Sequence, residues 1–187
     1  AVVGLAGSAL PLRYAHADGA APRAQAVAFD AFTTFDPRPV NVLAETLFPG
    51  QGTALVTAWR TRQFEYTWLR TLMNRYAGFL EVTEEALVFA AALLKLELTA
   101  ARRSALMQAF MHLQAWPDAL PALKRLRGMG LRLAFLANPP SELLDRWVRN
   151  AGLQGLFEAH LSTDRVRAFK PDPRAYQMGV DAFALPR

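Results

Sequence analysis

Two short apolar runs that read as buried β-strands, residues 25–32 and 131–137, flank a long stretch with a different periodicity. Within residues 53–79, Trp59, Phe64, Tyr66, Trp68, Leu69, Leu72, Met73 and Tyr76 recur near helical spacing, which predicts one or two helices. Thr83, followed by Glu84 and Glu85, predicts the N-cap and acidic first turn of another helix. Residues 100–114 continue the helical pattern, so residues 40–115 read as almost wholly helical. Past them the pattern alternates. A helix over 117–127 stops at Gly128-Met129-Gly130, and the strand at 131–137 ends at Asn138-Pro139-Pro140. A helix over 141–151 follows, with Gly152 near its C-cap, then a short strand within 157–162 and a helix over 171–183. Strand–helix alternation of this kind builds a parallel sheet, here with a helical block inserted between its first two strands.

The expected fold class is therefore α/β: a Rossmann-like parallel-sheet core of residues 25–39 and 116–187, carrying a helical cap of residues 40–115. Residues 36–39 read as a Pro-containing turn between the two. A length of 187 residues suits one domain with an insertion, and a hydrophobic content of 52% is enough for a core. The chain has no cysteine, which excludes disulfides, thiolate nucleophiles and cysteine-ligated metals. Its net charge of +5 suits an anionic substrate, and the basic residues are dispersed, so nucleic acid is not an expected partner. Residues 1–24 hold an apolar stretch ending at Leu12, then the small-x-small triplet Ala15-His16-Ala17. That stretch is shorter than the roughly 20 residues a membrane span needs and reads as the remnant of an export signal plus linker. The expected location is periplasmic, with no membrane association once the signal is removed, or cytoplasmic if the segment is not a signal.

In open parallel sheets, ligands bind beyond the C-terminal strand ends. Asp30 closes the first strand, Asn138 follows the second, and Lys170 stands in Phe169-Lys170-Pro171-Asp172 ahead of a later helix. A carboxylate on that rim is a candidate nucleophile able to form a covalent ester, and Lys170 a candidate counter-charge. Taken singly, each has a plainer reading: a turn aspartate, a turn asparagine and a solvated lysine.

The ordered set resembles the haloacid dehalogenase superfamily, and most closely its L-2-haloacid dehalogenases (type II), over nearly all of residues 25–187. Residues 59–70, WRTRQFEYTWLR, are similar to that family's cap-helix signature, and LMNRY continues it. FDAFTTFD resembles the family's F-D-x-Y-G-T-L-F-D, LAFLANPP its L-A-x-L-S-N-G, and VRAFKPDPRAY its lysine motif. The resemblance implies a role for each matching position. Asp30 is the nucleophile that attacks C2 of a short (S)-2-haloalkanoic acid and expels halide with inversion, giving the (R)-2-hydroxy acid. Thr34 supports the nucleophile, Arg60 receives the halide, and Lys170 stabilises the charged carboxylate. Ala31, Phe32, Phe64, Phe79, Ala137, Asn138 and Tyr176 form the substrate-binding set. No metal and no cofactor is implied, and a homodimer through the cap is. Phosphatases of the superfamily carry a second Asp two residues after the nucleophile, which protonates the leaving alkoxide. Phe32 occupies that place here. Halide leaves without a proton, and an aromatic wall keeps the site dry, strengthening an arginine–halide attraction.

Three departures from the family pattern carry expectations. Thr33 replaces a glycine, and a positive φ there would strain it by about 1–3 kcal/mol. Ala137 replaces a serine that binds the substrate carboxylate; losing such a bond costs about 1.5–3 kcal/mol and weakens affinity. The chain stops at Arg187, ahead of the family's next strand and its water-positioning S-x-N-x-x-D loop. A C-terminally truncated sheet with an unpaired edge is expected, with hydrolysis impaired or stalled at the ester. The alternatives kept open are a hydrolase of another small carbon electrophile by the same ester route, and an inactive non-catalytic homologue.

Overall fold

The computed structural model describes residues 24–184; the expected export segment lies outside them. The first strand, β1, spans Ala26–Phe29 and leads through Asp30 into a 3₁₀ turn at Ala31–Thr33. A two-residue strand, β2 (Phe35–Asp36), pairs antiparallel with β3 (Gln114–Ala115), so the helical block enters and leaves the core side by side. That ribbon was not expected. Nor does a turn fill residues 36–39: Pro37 is the N-cap of α1 (Arg38–Leu47), with Pro39 in its first turn, where a missing N–H costs nothing. The cap continues with α2 (Gly52–Leu72), α3 (Phe79–Leu93) and α4 (Ala100–Met111).

The helix ends follow local chemistry. α2 runs as one helix and stops where Asn74 turns left-handed at φ +53°, with the Arg75 N–H returning to the Arg70 carbonyl at 2.9 Å. Thr83 does not begin a helix, contrary to expectation. α3 starts after Gly78, and Thr83 lies fully buried inside it, its hydroxyl donating back to the Phe79 carbonyl at 2.7 Å. The same hydroxyl accepts from Gln63 Nε2 at 2.5 Å, and the Thr83 carbonyl accepts from Trp59 Nε1 at 2.7 Å. These buried bonds fasten α2 to α3.

After α5 (Ala119–Gly128) comes the central strand β4 (Arg132–Ala137), then α6 (Ser141–Asn150), β5 (Ala159–Ser162), a second 3₁₀ turn at Thr163–Val166, and α7 (Pro173–Phe183). The three long strands form a parallel sheet in the order β1-β4-β5. β4 is buried from Leu133 to Ala137 on both faces, as a central parallel strand must be. By contrast, β1 is only half-buried and Ala28 is exposed, because among the described residues it pairs on one side only, with β4. Among the described residues β1 is thus an edge strand, half-buried where the apolar run suggested full burial, and Asp30 follows its last residue. Phe35, Phe135 and Trp147 are all fully buried; Phe35 stacks on Phe135 with centroids 5.6 Å apart and lies tilted to Trp147 at 5.1 Å.

Candidate active site

Parallel pairing delivers three strand ends to one rim. Phe29 pairs with Phe135 and Ala137 with Ser162, so Asp30, Asn138 and Thr163 follow their strands along the same edge of the sheet. Lys170 reaches this rim from the loop ahead of α7. Its Nζ lies between two acceptors on adjacent strands, 2.5 Å from Asp30 Oδ2 and 2.9 Å from the Leu136 carbonyl. Asp30 Oδ1 accepts the Phe32 N–H at 2.9 Å as the cap of the 3₁₀ turn. Each carboxylate oxygen thus has one fixed donor and a further lone pair toward the open side. The Asp30 side chain keeps 39% of its exposure and Lys170 18%, so the carboxylate remains reachable.

Thr33 relieves an expected strain. It sits in the 3₁₀ turn and is absent from the positive-φ residues, so the β-branch costs nothing there. Its hydroxyl donates to the Asp30 carbonyl at 2.6 Å, which tightens the turn behind the carboxylate. Thr34 is buried below the rim, where its backbone bonds Ala31 and Trp116; the donors on the Asp30 carboxylate are Phe32 and Lys170.

Asn138 is oriented from behind. Its Oδ1 accepts both the Lys170 N–H at 3.1 Å and the Thr163 hydroxyl at 3.3 Å. With the oxygen committed, the amide NH₂ is what Asn138 has to offer a ligand: a donor, suited to an anion.

A cavity of about 310 Å³ opens between rim and cap. Asp30, Phe32, Asn138, Pro139, Lys170, Pro171 and Tyr176 line it from the core, and Arg60, Gln63, Phe64, Thr67, Trp68 and Phe79 from the cap. Of the positions singled out in the sequence, Asp30, Phe32, Arg60, Phe64, Phe79, Asn138, Lys170 and Tyr176 converge on it. Thr34, Ala31 and Ala137 do not line it; Ala31 and Ala137 are fully buried. Gln63, Thr67 and Trp68 were missed. The signal for them was present: counted from Arg60 they fall at i+3, i+7 and i+8, the same face of α2.

The cavity's charges are two cations, Arg60 and Lys170, against one carboxylate, Asp30. Lys170 is matched to Asp30, which leaves Arg60 as the surplus charge. The Arg60 guanidinium lies 5.0 Å from the centroid of Phe32 and 5.3 Å from that of Phe64, held between a core ring and a cap ring. Phe32 packs onward against Phe110 and Trp147, each at 6.1 Å. The site thus sets a held carboxylate opposite an available cation across an apolar gap. Among the described residues no group of three or more His, Asp or Glu side chains could hold a metal ion.

Known proteins share this arrangement of chain. The family profile for haloacid dehalogenase-like hydrolases matches residues 13–187. An (S)-2-haloacid dehalogenase of Pseudomonas sp. (strain YL) is 41% identical over 162 residues, spanning 86% of this chain and 70% of its own length. The crystal structure of L-2-haloacid dehalogenase RSc1362 superposes with a TM-score of 0.85 at 42% identity, covering 87% of this chain and 74% of its own. An L-2-haloacid dehalogenase from Xanthobacter autotrophicus, solved with chloropropionic acid covalently bound, superposes with a TM-score of 0.79 at 37% identity, over 87% of this chain and 66% of its own. The chain belongs to the haloacid dehalogenase-like hydrolases and stands among their (S)-2-haloacid dehalogenases.

Proposed function

We propose that this chain hydrolyses the carbon–halogen bond of short (S)-2-haloalkanoic acids to (R)-2-hydroxy acids through an ester on Asp30. The observation that carries the reading is the opposition of Asp30, fixed by Phe32 N–H and Lys170, to the surplus cation Arg60 across an aromatic-walled cavity. The family relatives, one of them holding chloropropionic acid covalently, support it.

In the first step an Asp30 carboxylate oxygen attacks C2 from the face opposite the halogen. A C–O bond forms, the C–X bond breaks, and halide departs with the bonding pair, so C2 inverts. Arg60, without an ion-paired carboxylate among the described residues, stabilises the charge growing on the halogen. The Asn138 amide and the surplus positive charge favour the substrate carboxylate. Phe32, Phe64 and Phe79 give the cavity an apolar wall, which strengthens these attractions. In the second step water adds to the ester carbonyl of Asp30 and the bond from that carbon to the C2-bound oxygen breaks; the hydroxy acid leaves with one proton of the water, the other passes to solvent, and the carboxylate is restored. Lys170 holds the Asp30 carboxylate in place for the attack and pairs with it again once the ester is cleaved.

Phe32 at the second position after Asp30 argues against phosphoryl transfer, since no acid stands there to protonate an alkoxide. A homodimer through the cap belongs to the same proposal. It is supported by Leu69, Leu72 and Met73, which are 48%, 79% and 57% exposed on and just past α2.

The test is halide release from (S)-2-chloropropionate, with and without added Mg²⁺. Metal-independent release that is abolished in Asp30→Asn supports the reading. Release that survives Asp30→Asn, or phosphate release from a generic ester that requires Mg²⁺, contradicts it.

A further inference from the structure

Thr71 and Tyr76 lie outside the cavity, yet both grip the residue that precedes Lys170. Thr71 is in the last turn of α2. Its hydroxyl donates to the Thr67 carbonyl at 2.9 Å and accepts the Phe169 N–H at 3.0 Å. The Tyr76 ring stacks on Phe169 with centroids 4.9 Å apart and planes 30° apart. Its hydroxyl donates to Asp164, and the Arg167 guanidinium lies 5.0 Å from its ring centroid. Phe169 is fully buried, with Phe79 at 6.3 Å. These cap residues therefore hold residues 164–169 of the core by a backbone hydrogen bond, a ring stack and a hydroxyl–carboxylate bond.

The next residue is Lys170. Its N–H is tied to Asn138 and its Nζ to Asp30. The Phe169 N–H lies in the peptide plane before Phe169 and the Lys170 N–H in the plane after it; the fully buried, stacked Phe169 side chain restrains the two torsions between them, so a shift of the Phe169 N–H carries to the Lys170 anchor. The Phe169 N–H has Thr71 as its partner, and a partly buried donor left without an acceptor shifts to find one. We infer that Thr71 and Tyr76 are positioning residues for Lys170: a strap by which the seating of the cap sets the placement of the cation on Asp30. The inference rests on the reading of Lys170 as the working partner of Asp30.

The strap makes the cap more than a lid. If α2 lifts from the rim, it withdraws Arg60 from the cavity and loosens Lys170 together, so both charges assemble only when the cap is seated.

Thr71→Val keeps the shape of the side chain and removes the acceptor; Thr71→Ser restores it. The expected result is a loss in kcat for halide release of about ten-fold in Thr71→Val, with KM within about two-fold, and recovery in Thr71→Ser. Because the strap acts through Lys170, Thr71→Val should cause no further loss in a Lys170→Ala background. Tyr76→Phe, which keeps the stack and loses the hydroxyl bond, should follow the same pattern with a smaller loss. Equal fractional losses in both backgrounds, or a Thr71→Ser variant as poor as Thr71→Val, would overturn the strap. Parental activity in Lys170→Ala would instead refute the reading of Lys170. Amide hydrogen exchange then decides the strap independently of turnover: Thr71→Val must speed exchange at Phe169 about ten-fold, and unchanged exchange overturns it.

Discussion

Replacing Arg60 with Met keeps most of the side chain's apolar stem and removes its charge. In the structure the guanidinium is pre-positioned by two ring faces, at 5.0 and 5.3 Å. Each such contact is worth about 0.5–1 kcal/mol at an exposed site, so about 1–2 kcal/mol holds the group in place before substrate arrives. A preorganised donor at a developing charge typically carries about 2.7–4 kcal/mol, or 10²–10³ in kcat. Arg60→Met should therefore lower kcat on (S)-2-chloropropionate by about 10²–10³. Arg60→Lys keeps the charge but loses the planar fork between the rings and should lose about ten-fold. Loss of the two ring contacts, about 1–2 kcal/mol, should lower the midpoint of thermal unfolding by about 2–8 °C, far less than the loss in kcat would need if it came from unfolding. The discriminating assay is a leaving-group series followed by halide release. Chloride concentrates its charge more than bromide or iodide, so the loss should be greatest with chloride and least with iodide. A uniform loss across the three halides, or a raised KM with unchanged kcat, would mean that Arg60 only binds the substrate carboxylate and would refute the assignment.

Other expectations follow from packing and charge. A Cβ at Gly52 would lie 2.3 Å from the Cα and N of Glu45, so Gly52→Ala must push α1 from α2 and cost about 1–3 kcal/mol in a denaturant titration. Trp59→Phe removes the buried bond to the Thr83 carbonyl and part of the ring, which should cost about 1–3 kcal/mol by the same assay. Burial first, then the bond to Asp164, raises the pKa of the Tyr76 hydroxyl, with Arg167 opposing. A folded-state pKa above the unfolded value of 10.0 means the contribution is fully present below about pH 10 and is lost as pH rises further. Stability measured above pH 10 should fall more steeply in the parent than in Tyr76→Phe. Leu72→Glu, on the exposed ridge of α2, should convert a dimer to a monomer in light scattering without altering the fold; an unchanged mass would exclude this ridge as the interface.

The main architecture was legible because each element carries a strong local signal. Apolar runs marked β1 and β4, and helical spacing marked the cap. Parallel topology then implied that residues just past the strands, Asp30 and Asn138, share a rim, and Lys170 joins them there. Failures came where a residue type has two uses. Thr83 looked like a cap, but its hydroxyl serves the preceding turn of its own helix and a buried glutamine. Thr33 was judged by the glycine it replaces, whereas its φ, which residue type does not dictate, is ordinary. Two-residue strands such as β2 and β3 are too short for any periodicity to register. Gln63, Thr67 and Trp68 could have been found by carrying the helical face on from Arg60. The link between Tyr76 and Asp164 joins residues 88 apart and leaves no local trace.

The central claim is that Asp30 becomes an ester and that water attacks that ester, not the substrate carbon. Its most direct test is a single turnover of (S)-2-chloropropionate in heavy-oxygen water with enzyme in excess, followed by mass analysis of the peptide containing Asp30 and of the released acid. The account predicts one heavy oxygen in the Asp30 carboxylate and ordinary oxygen in the new hydroxyl of the product. Heavy oxygen in the product hydroxyl, with Asp30 unlabelled, would contradict it and place water as the direct nucleophile.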